Sequence, residues 1–388
     1  MKKTLFHSLT FPPDTISTGM IVSEIAVGYT SKFQNVEVLA SSPQYNIRSF
    51  EEFKKSNTIY KNIKVHYIES DKRKFTNSAR FLQWLSFNLN SIKFIYKHRK
   101  DYENIFIFSY PPTMNLVCIF TSKILKINTI YSLWELYPEI AEKLNEQPNF
   151  VLNKLFKLID NFCLKSVNKI VVNSDLLKDY LVNNRNIVRN KIEVIHHFSP
   201  YQKSEYASNL ALKKIFYAGN TGKPQNLNSF IKFFNKNFPQ DWDFQLYGAG
   251  QEFNNLLKNS NKNIFINEYL SRDELEDLTK DIPFALICLD YEITIEGFPG
   301  KTFDYLNMNK ILINFSNPNS AVSELIKDNG LGFNIDLKKP DEFFLTLEEM
   351  QNPKKLNEIL NNVNKFQEVV SNKEIVSKKY ISLISTTS

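Results

Sequence analysis

Apolar runs of five to seven residues recur along the chain, and longer stretches with apolar residues at helical spacing separate them. In the first half the runs 4–9, 36–41, 64–68, 104–109, 128–134, 169–174 and 192–197 are rich in Val, Ile, Phe and Tyr and predict strands. The stretches 20–31, 79–98, 113–125, 151–166 and 175–184 predict helices between them. The second half repeats the style, with strands expected at 214–219, 243–248, 263–268, 284–289 and 310–315. Helices are expected there at 226–237, 251–259, 272–280, 300–308 and 319–328, then a helical tail at 341–350, 354–371 and 373–384. Strands alternating with helices make a parallel sheet covered on both faces. The fold class predicted is α/β: two doubly wound, Rossmann-like domains in tandem, joined by a polar, aperiodic linker over 199–212. Ligands of such sheets bind beyond the carboxyl ends of the strands, and two such domains facing one another predict a site in a central cleft.

Composition narrows the class. Of 388 residues, 43% are hydrophobic and 23% charged, which excludes wholesale disorder. Cys118, Cys163 and Cys288 are far apart and form no CxxC, so a reducing compartment is expected. The start, MKKTLFHSLTFPP, is broken by His7, Ser8 and Pro12 and does not read as a secretory signal. No run approaches the roughly 18 apolar residues of a membrane span, so a soluble cytoplasmic protein is expected. Charge is uneven: residues 1–198 carry +10 and the rest −3. One half then faces something anionic, such as nucleic acid, a membrane surface or a phosphorylated ligand; a solvated basic surface is the plain alternative. The basic segment 71–74 and the amphipathic stretch 79–100 can touch a membrane, or be a solvated loop and helix. Five histidines show no metal spacing, HExxH is absent, and no metal is expected. Without G-x-S-x-G, a hydrolase nucleophile has no support.

Only ten glycines occur, and eight stand in the second half in four close pairs. Tyr217 to Gln225 (YAGNTGKPQ) follows the first strand there. Gly219 and Gly222 permit a tight turn and a close ligand approach, and Lys223 adds a cation beside a helix start. The segment is neither GxGxxG nor a Walker loop; a plain strand-to-helix turn is the alternative. Gly248 and Gly250 end the second strand. A hairpin-like Asn267–Leu270 ends the third, and its backbone at Tyr269 and Leu270 can read a base edge. Glu296 to Asp304 (EGFPGKTFD) is the strongest segment. Phe298, Pro299 and Gly300 make a rigid turn, Lys301 and Thr302 open a helix, and its first amides are expected to point at an anion. Glu296 and Asp304 can meet sugar and ribose hydroxyls; a capped helix with an exposed acid is the alternative. In the first half, Gly19 closes FPPDTISTG and predicts a phosphate-sized concavity at a helix start. Tyr131 to Glu139 places aromatics and acids at a strand end, as a sugar site or as core with an acidic rim.

Taken together, FPPDTISTG, SLWELYPEIA, KIVVNS, YAGNTGKPQNL, YGAG and EGFPGKTFDYL resemble, in this order, glycosyltransferases of the GT-B fold. The likeness is to glycosyltransferase family 4, and within it to bacterial O-antigen, capsule and colanic acid enzymes that transfer N-acetyl-L-fucosamine or fucose. It runs to about residue 370. It implies an acceptor domain over 1–198, a nucleotide-sugar donor domain over 213–370, and a helix over 371–388 packing back on the first domain. The family's paired acids fall on Glu296, toward the donor sugar, and Asp304, toward the ribose, where the pattern has Glu. Lys301 would bind the donor diphosphate. Asn220 and Gln225 stand where the wider family has Arg and Lys, with Lys223 as substitute. Gly19 would let its loop approach donor or acceptor. Such enzymes retain anomeric configuration without metal or other cofactor. The implied partners are a UDP-sugar and a lipid-linked acceptor at the inner membrane face, not nucleic acid. Glu135 is the candidate acceptor-side acid or base. Two rivals remain at this level: a nucleotide-sugar epimerase of the same fold, and a non-catalytic anion-binding protein.

Overall fold

The structure is a computed structural model describing residues 3–14, 16–30, 35–43, 59–68, 77–109, 114–143, 150–206, 208–295 and 298–385. The chain divides into two compact units: Met1–Glu142, Gln147–Pro200 and Lys373–Ser388 form one, Lys143–Glu146 and Tyr201–Asn372 the other. The first holds an eight-stranded sheet ordered β3 (Ile59–Tyr60), β4 (Ile63–Ile68), β2 (Val36–Ser41), β1 (Lys3–Ser8), β5 (Tyr102–Phe108), β6 (Asn128–Leu133), β7 (Lys169–Val172), β8 (Ile192–Val194). Every pairing is parallel except β3 with β4, a hairpin whose turn residues Lys61 and Asn62 both take positive φ.

Alternate residues of this sheet feed two separate cores. Leu5, Leu39, Ile105, Tyr131 and Ile170 face the helices α2 (Asn77–Lys97), α3 (Asn115–Ile119), α5 (Phe150–Ser166) and α6 (Asp175–Arg185). Phe6, Val38, Phe106, Ile130 and Val171 face α1 (Ser17–Thr30) and the C-terminal α14 (Lys373–Ser385). Gly28 makes room in α1 for α14: a side chain there would meet Ser377 at 2.6 Å. Tyr380 of α14 reaches the Ser132 hydroxyl at 3.0 Å. A short α4 (Tyr137–Lys143) follows β6, and α3 runs on into a π-helical turn over Phe120–Ile124.

The second unit is a six-stranded, wholly parallel sheet ordered β11 (Ile264–Glu268), β10 (Asp243–Ala249), β9 (Lys214–Asn220), β12 (Phe284–Cys288), β13 (Ile311–Phe315), β14 (Gly332–Ile335). Its helices are α7 (Leu227–Asn237), α8 (Phe253–Leu257), α9 (Arg272–Thr279), α10 (Lys301–Asn307), α11 (Ala321–Asn329), α12 (Phe343–Glu349) and α13 (Pro353–Val369). Phe230, Phe233 and Phe234 of α7 interlock with Phe244, Phe315 and Phe343 at ring separations of 5.0–6.0 Å. Local signals set the helix ends. Ser271 and Glu274 form a reciprocal capping box on α9, and Gly330 ends α11 in the left-handed region.

Every predicted strand is present; β3, β14 and α4 are additional. β14 was illegible because Gly332 and Asn334 interrupt its apolar pattern. Gly332 is required there, since a Cβ would lie 2.0 Å from the Leu312 carbonyl oxygen. The segment read as a linker is tied down: Ser204 bonds backbone to backbone with Asn307, and Lys310 donates to the Ser208 hydroxyl at 2.9 Å. In both sheets the first strand lies inside, so strand order reverses beside it, at β1/β5 and at β9/β12. Among the described residues no helix is long and apolar enough to cross a membrane.

Candidate functional site

The reversal point β9/β12 is built from loops packed backbone on backbone. Gly219, the penultimate residue of β9, has φ +127°, beyond the reach of ordinary side chains. The Gly248 Cα faces the Gly219 carbonyl so closely that a Cβ would sit 2.4 Å from its oxygen. At Gly250, φ +148°, a Cβ would meet the Asn220 Oδ1 at 2.5 Å and the Thr221 nitrogen at 2.9 Å. Thr221 N–H donates to the Ala249 carbonyl and Gly222 N–H to Gln225 Oε1 at 2.9 Å, closing a turn over Lys223–Gln225. On the far side, Asp290 N–H donates to the Pro224 carbonyl at 2.8 Å, and Asn226 Nδ2 to the Asp290 carboxylate at 3.0 Å. The loops after β9, β10 and β12 are thus one connected surface.

Lys301 enters this surface from α10. Its Nζ lies 3.7 Å from the centroid of the Tyr217 ring and 3.1 Å from where a Gly219 side chain would begin. It is buried and has no hydrogen-bond partner among the described residues. Burial lowers its pKa to about 7, and the negative charge of Asp304 offsets this only in part. The ring face supplies partial cation–π compensation. Tyr305, one helical turn on, fixes the approach of α10: its hydroxyl accepts from Ala218 N–H at 2.8 Å and donates to the Ala218 carbonyl at 3.1 Å. A buried ammonium without a hydrogen bond is costly, and a multivalent anion is the ligand that relieves it. The flexible lysine stem can swing from ring to ligand.

The structure thus gathers Gly219, Asn220, Gly222, Gln225, Gly248, Gly250 and Lys301. Lys223 is exposed at the first position of its turn. Asp304 lies in the first turn of α10 and, after burial, is the largest influence raising the Tyr201 phenol to about 12. Two of the expected helix-start amides are engaged within the turn. Thr302 N–H donates to the Pro299 carbonyl and Phe303 N–H to the Gly300 carbonyl, which leaves the Lys301 ammonium as the buried, anion-seeking group of the turn. Phe298 stacks on Phe303 at 5.6 Å and serves packing. Thr302 is buried, its hydroxyl without a partner among the described residues. The hairpin expected at Asn267–Leu270 is instead a strand end leading into the capped α9, with Tyr269 exposed; Glu268 pairs with Gly248, which sets Tyr269 and Leu270 beside the β10 loop. Glu296 lies outside the described residues, as does the segment 71–74. Sequence reasoning missed Tyr217 as the lysine's platform and Tyr305 as its anchor; the four-residue spacing of Lys301 and Tyr305 was the available signal.

Gly19 and Glu135 belong to the first unit. Gly19 is buried in α1, and a Cβ there would lie 3.1 Å from the backbone of Thr10 and Phe11, so the chain returns close beside it on that side. Glu135 follows β6, where Trp134 is fixed by Ser109 Oγ on its N–H and Asn173 Nδ2 on its carbonyl. Its residue is exposed, yet the surrounding protein mass raises its carboxyl pKa by desolvation.

No protein-family model and no curated protein matches the chain significantly. Solved structures match over its whole length. HepE of Anabaena, in complex with UDP and glucose, is 11% identical, with TM-score 0.68 and 100% of both chains covered. WaaG, a glycosyltransferase involved in lipopolysaccharide biosynthesis, is 11% identical, with TM-score 0.66 over 98% of this chain and 99% of that one. A TarM variant from S. aureus, in complex with fondaparinux, alpha-GlcNAc-glycerol and UDP, is 12% identical, with TM-score 0.66 and 99% of both covered. Two parallel Rossmann-like sheets in this order, with a long C-terminal helix, give the chain the GT-B fold of glycosyltransferase structures.

Proposed function

We propose that this protein is a retaining glycosyltransferase that moves a sugar from a nucleotide diphosphate, a UDP-sugar, to a lipid-linked acceptor in the assembly of a bacterial surface polysaccharide. The observation that carries the reading is the buried Lys301 ammonium, without a hydrogen bond among the described residues, at the β9/β12 reversal point. Matching structures that hold UDP, in HepE and TarM, and the role of WaaG in lipopolysaccharide synthesis support the donor and acceptor classes. In this reading the bond from the sugar C1 to the diphosphate breaks while the acceptor oxygen bonds C1. The acceptor proton passes to the departing phosphate, so no protein base is required. Lys301 neutralises the charge that grows on the diphosphate, with no metal needed. Asp304 takes the ribose, Glu296 the donor sugar, and Tyr269 and Leu270 the base edge; Glu135 stands on the acceptor side.

The test is a thermal-shift screen with UDP, GDP, ADP and dTDP in excess EDTA, followed by their sugars. At one hundred times the dissociation constant the ligand stabilises the folded state by about 2.7 kcal/mol. A shift with UDP and UDP-sugars, lost in Lys301→Ala, is expected. A chain indifferent to all four nucleotides would sink the reading.

A further inference from the structure

α5 presents an apolar stripe that the fold does not cover. Val151, Leu155, Leu158 and Phe162 follow one another at intervals of four, three and four residues, one face of a helix over three turns. They are 73%, 50%, 60% and 54% exposed, whereas Cys163 and Leu164 of the same helix are fully buried in the core. A helix in a soluble unit ordinarily keeps its large apolar residues for one inward face. This one has two apolar faces, one of them in water.

The outward-facing charges carried by α5, α2 and the α3 stretch are positive. α5 contains a single acid, Asp160, and it is turned inward, where it accepts from Asn115 of α3 at 3.1 Å and lies 3.3 Å from Arg185. Neither α2 nor the stretch from α3 through its π-helical turn contains any acid. The cations of these helices include Lys93, Lys97, Lys123, Lys154 and Lys165, all exposed, and the half-buried Lys157. Beside α5 the exposed Glu142 is paired with Lys157, and the buried Glu139 with Arg185. α3 packs against both α2 and α5, which makes the three helices one layer of the first unit. Its outer surface also exposes Leu89 and Tyr96 of α2 and Ile124 of the π turn.

We propose that this helical layer, centred on α5, is a docking surface for an anionic lipid bilayer, with the stripe entering the headgroup region and the lysines meeting lipid phosphates. A second copy of the chain is the poorer occupant. A two-fold interface would set a lysine-rich face, whose exposed Glu142 is already paired with Lys157, against its equal, and like charges repel. A bilayer supplies the missing sign and an apolar layer together. The inference deepens the acceptor half of the reading above, because an enzyme that takes a lipid-linked acceptor must meet it at a membrane. Its own evidence is the stripe and the charge pattern, and its test does not involve the donor site.

The experiment is flotation of the full chain with vesicles of phosphatidylcholine alone or with a third of phosphatidylglycerol, at low and high salt. Binding is expected to the anionic vesicles, to weaken with salt, and to fall at least tenfold in the double variant Leu155→Asp, Leu158→Asp. Both positions are half or more exposed, and circular dichroism with an unchanged melting temperature confirms the variant's fold. UDP binding, measured in parallel, is expected to be equal in both proteins, so a failed donor assignment and a failed membrane face give different results. Absence from the anionic vesicles at low salt, or equal binding by the variant, would overturn the proposal. A concentration-dependent dimer that the two aspartates dissolve, without lipid binding, would assign the stripe to a second copy instead.

Discussion

At the reversal point beside β1 the chain returns close on itself; beside β9 it leaves a cation waiting. After β1, Thr10 and Phe11 pack onto Gly19, and Tyr67 donates to the Pro12 carbonyl at 2.5 Å. The base buried in β1 is His7, held neutral by a pKa that burial lowers to about 3, and stacked on Phe87 at 5.3 Å. After β9, three glycines bring two loops into backbone contact, and Lys301 sits over Tyr217 without a hydrogen bond among the described residues. The sheets share strand order about these points, so topology chooses where a ligand can bind, and loop residues choose whether anything there would hold one.

The sharpest way to break this comparison is to remove the cation. Lys301→Ala should lower turnover by about 10²-fold or more at saturating donor, since leaving-group charge is then unbalanced. Near-normal turnover would erase the distinction between the two points. The glycines give a smaller effect. Gly248→Ala drives a methyl group to 2.4 Å from the Gly219 carbonyl oxygen. It should weaken donor binding about tenfold with a stability loss of about 1–3 kcal/mol, as overpacking does. Gly19→Ala meets its neighbours at 3.1 Å and should cost stability alone. Calorimetric titration of both variants with UDP decides this; equal losses of affinity would make the first-unit loop part of the donor site.

The smallest effect is on pH. The pKa of Lys301 in the free chain is lowered to about 7, so the ammonium is charged below that value and increasingly neutral above it. A bound diphosphate favours the charged form and raises the pKa. Binding above 7 therefore takes up a proton, and donor affinity should fall by up to about tenfold per pH unit until the bound form also titrates. A nucleotide sugar, whose diphosphate does not change charge in this range, is the ligand to use. Proton uptake appears as a buffer-dependent binding enthalpy, and a pH-independent affinity through this range would rule out the lysine as the charged contact.

The amino-acid sequence by itself determined the layering and the loop chemistry. Apolar runs bounded by polar turns name their own strands, as 214–219 and 243–248 do, because burial on both faces of a parallel sheet demands them. Scarce glycines in pairs mark where backbone must approach backbone, and Lys301 is legible because a cation directly after a Gly-Phe-Pro-Gly turn is a local pattern. Tertiary structure alone decided what Lys301 touches. Tyr217 stands 84 residues away, and only the adjacency of β9 and β12 sets its ring beneath the ammonium. The same holds for Gly19, whose role depends on where Thr10 and Phe11 return, and for the two apolar faces of α5, of which periodicity cannot say which is covered. Pattern reports which residues avoid water; desolvation, pairing and packing depend on neighbours that chain closure brings from far along the sequence.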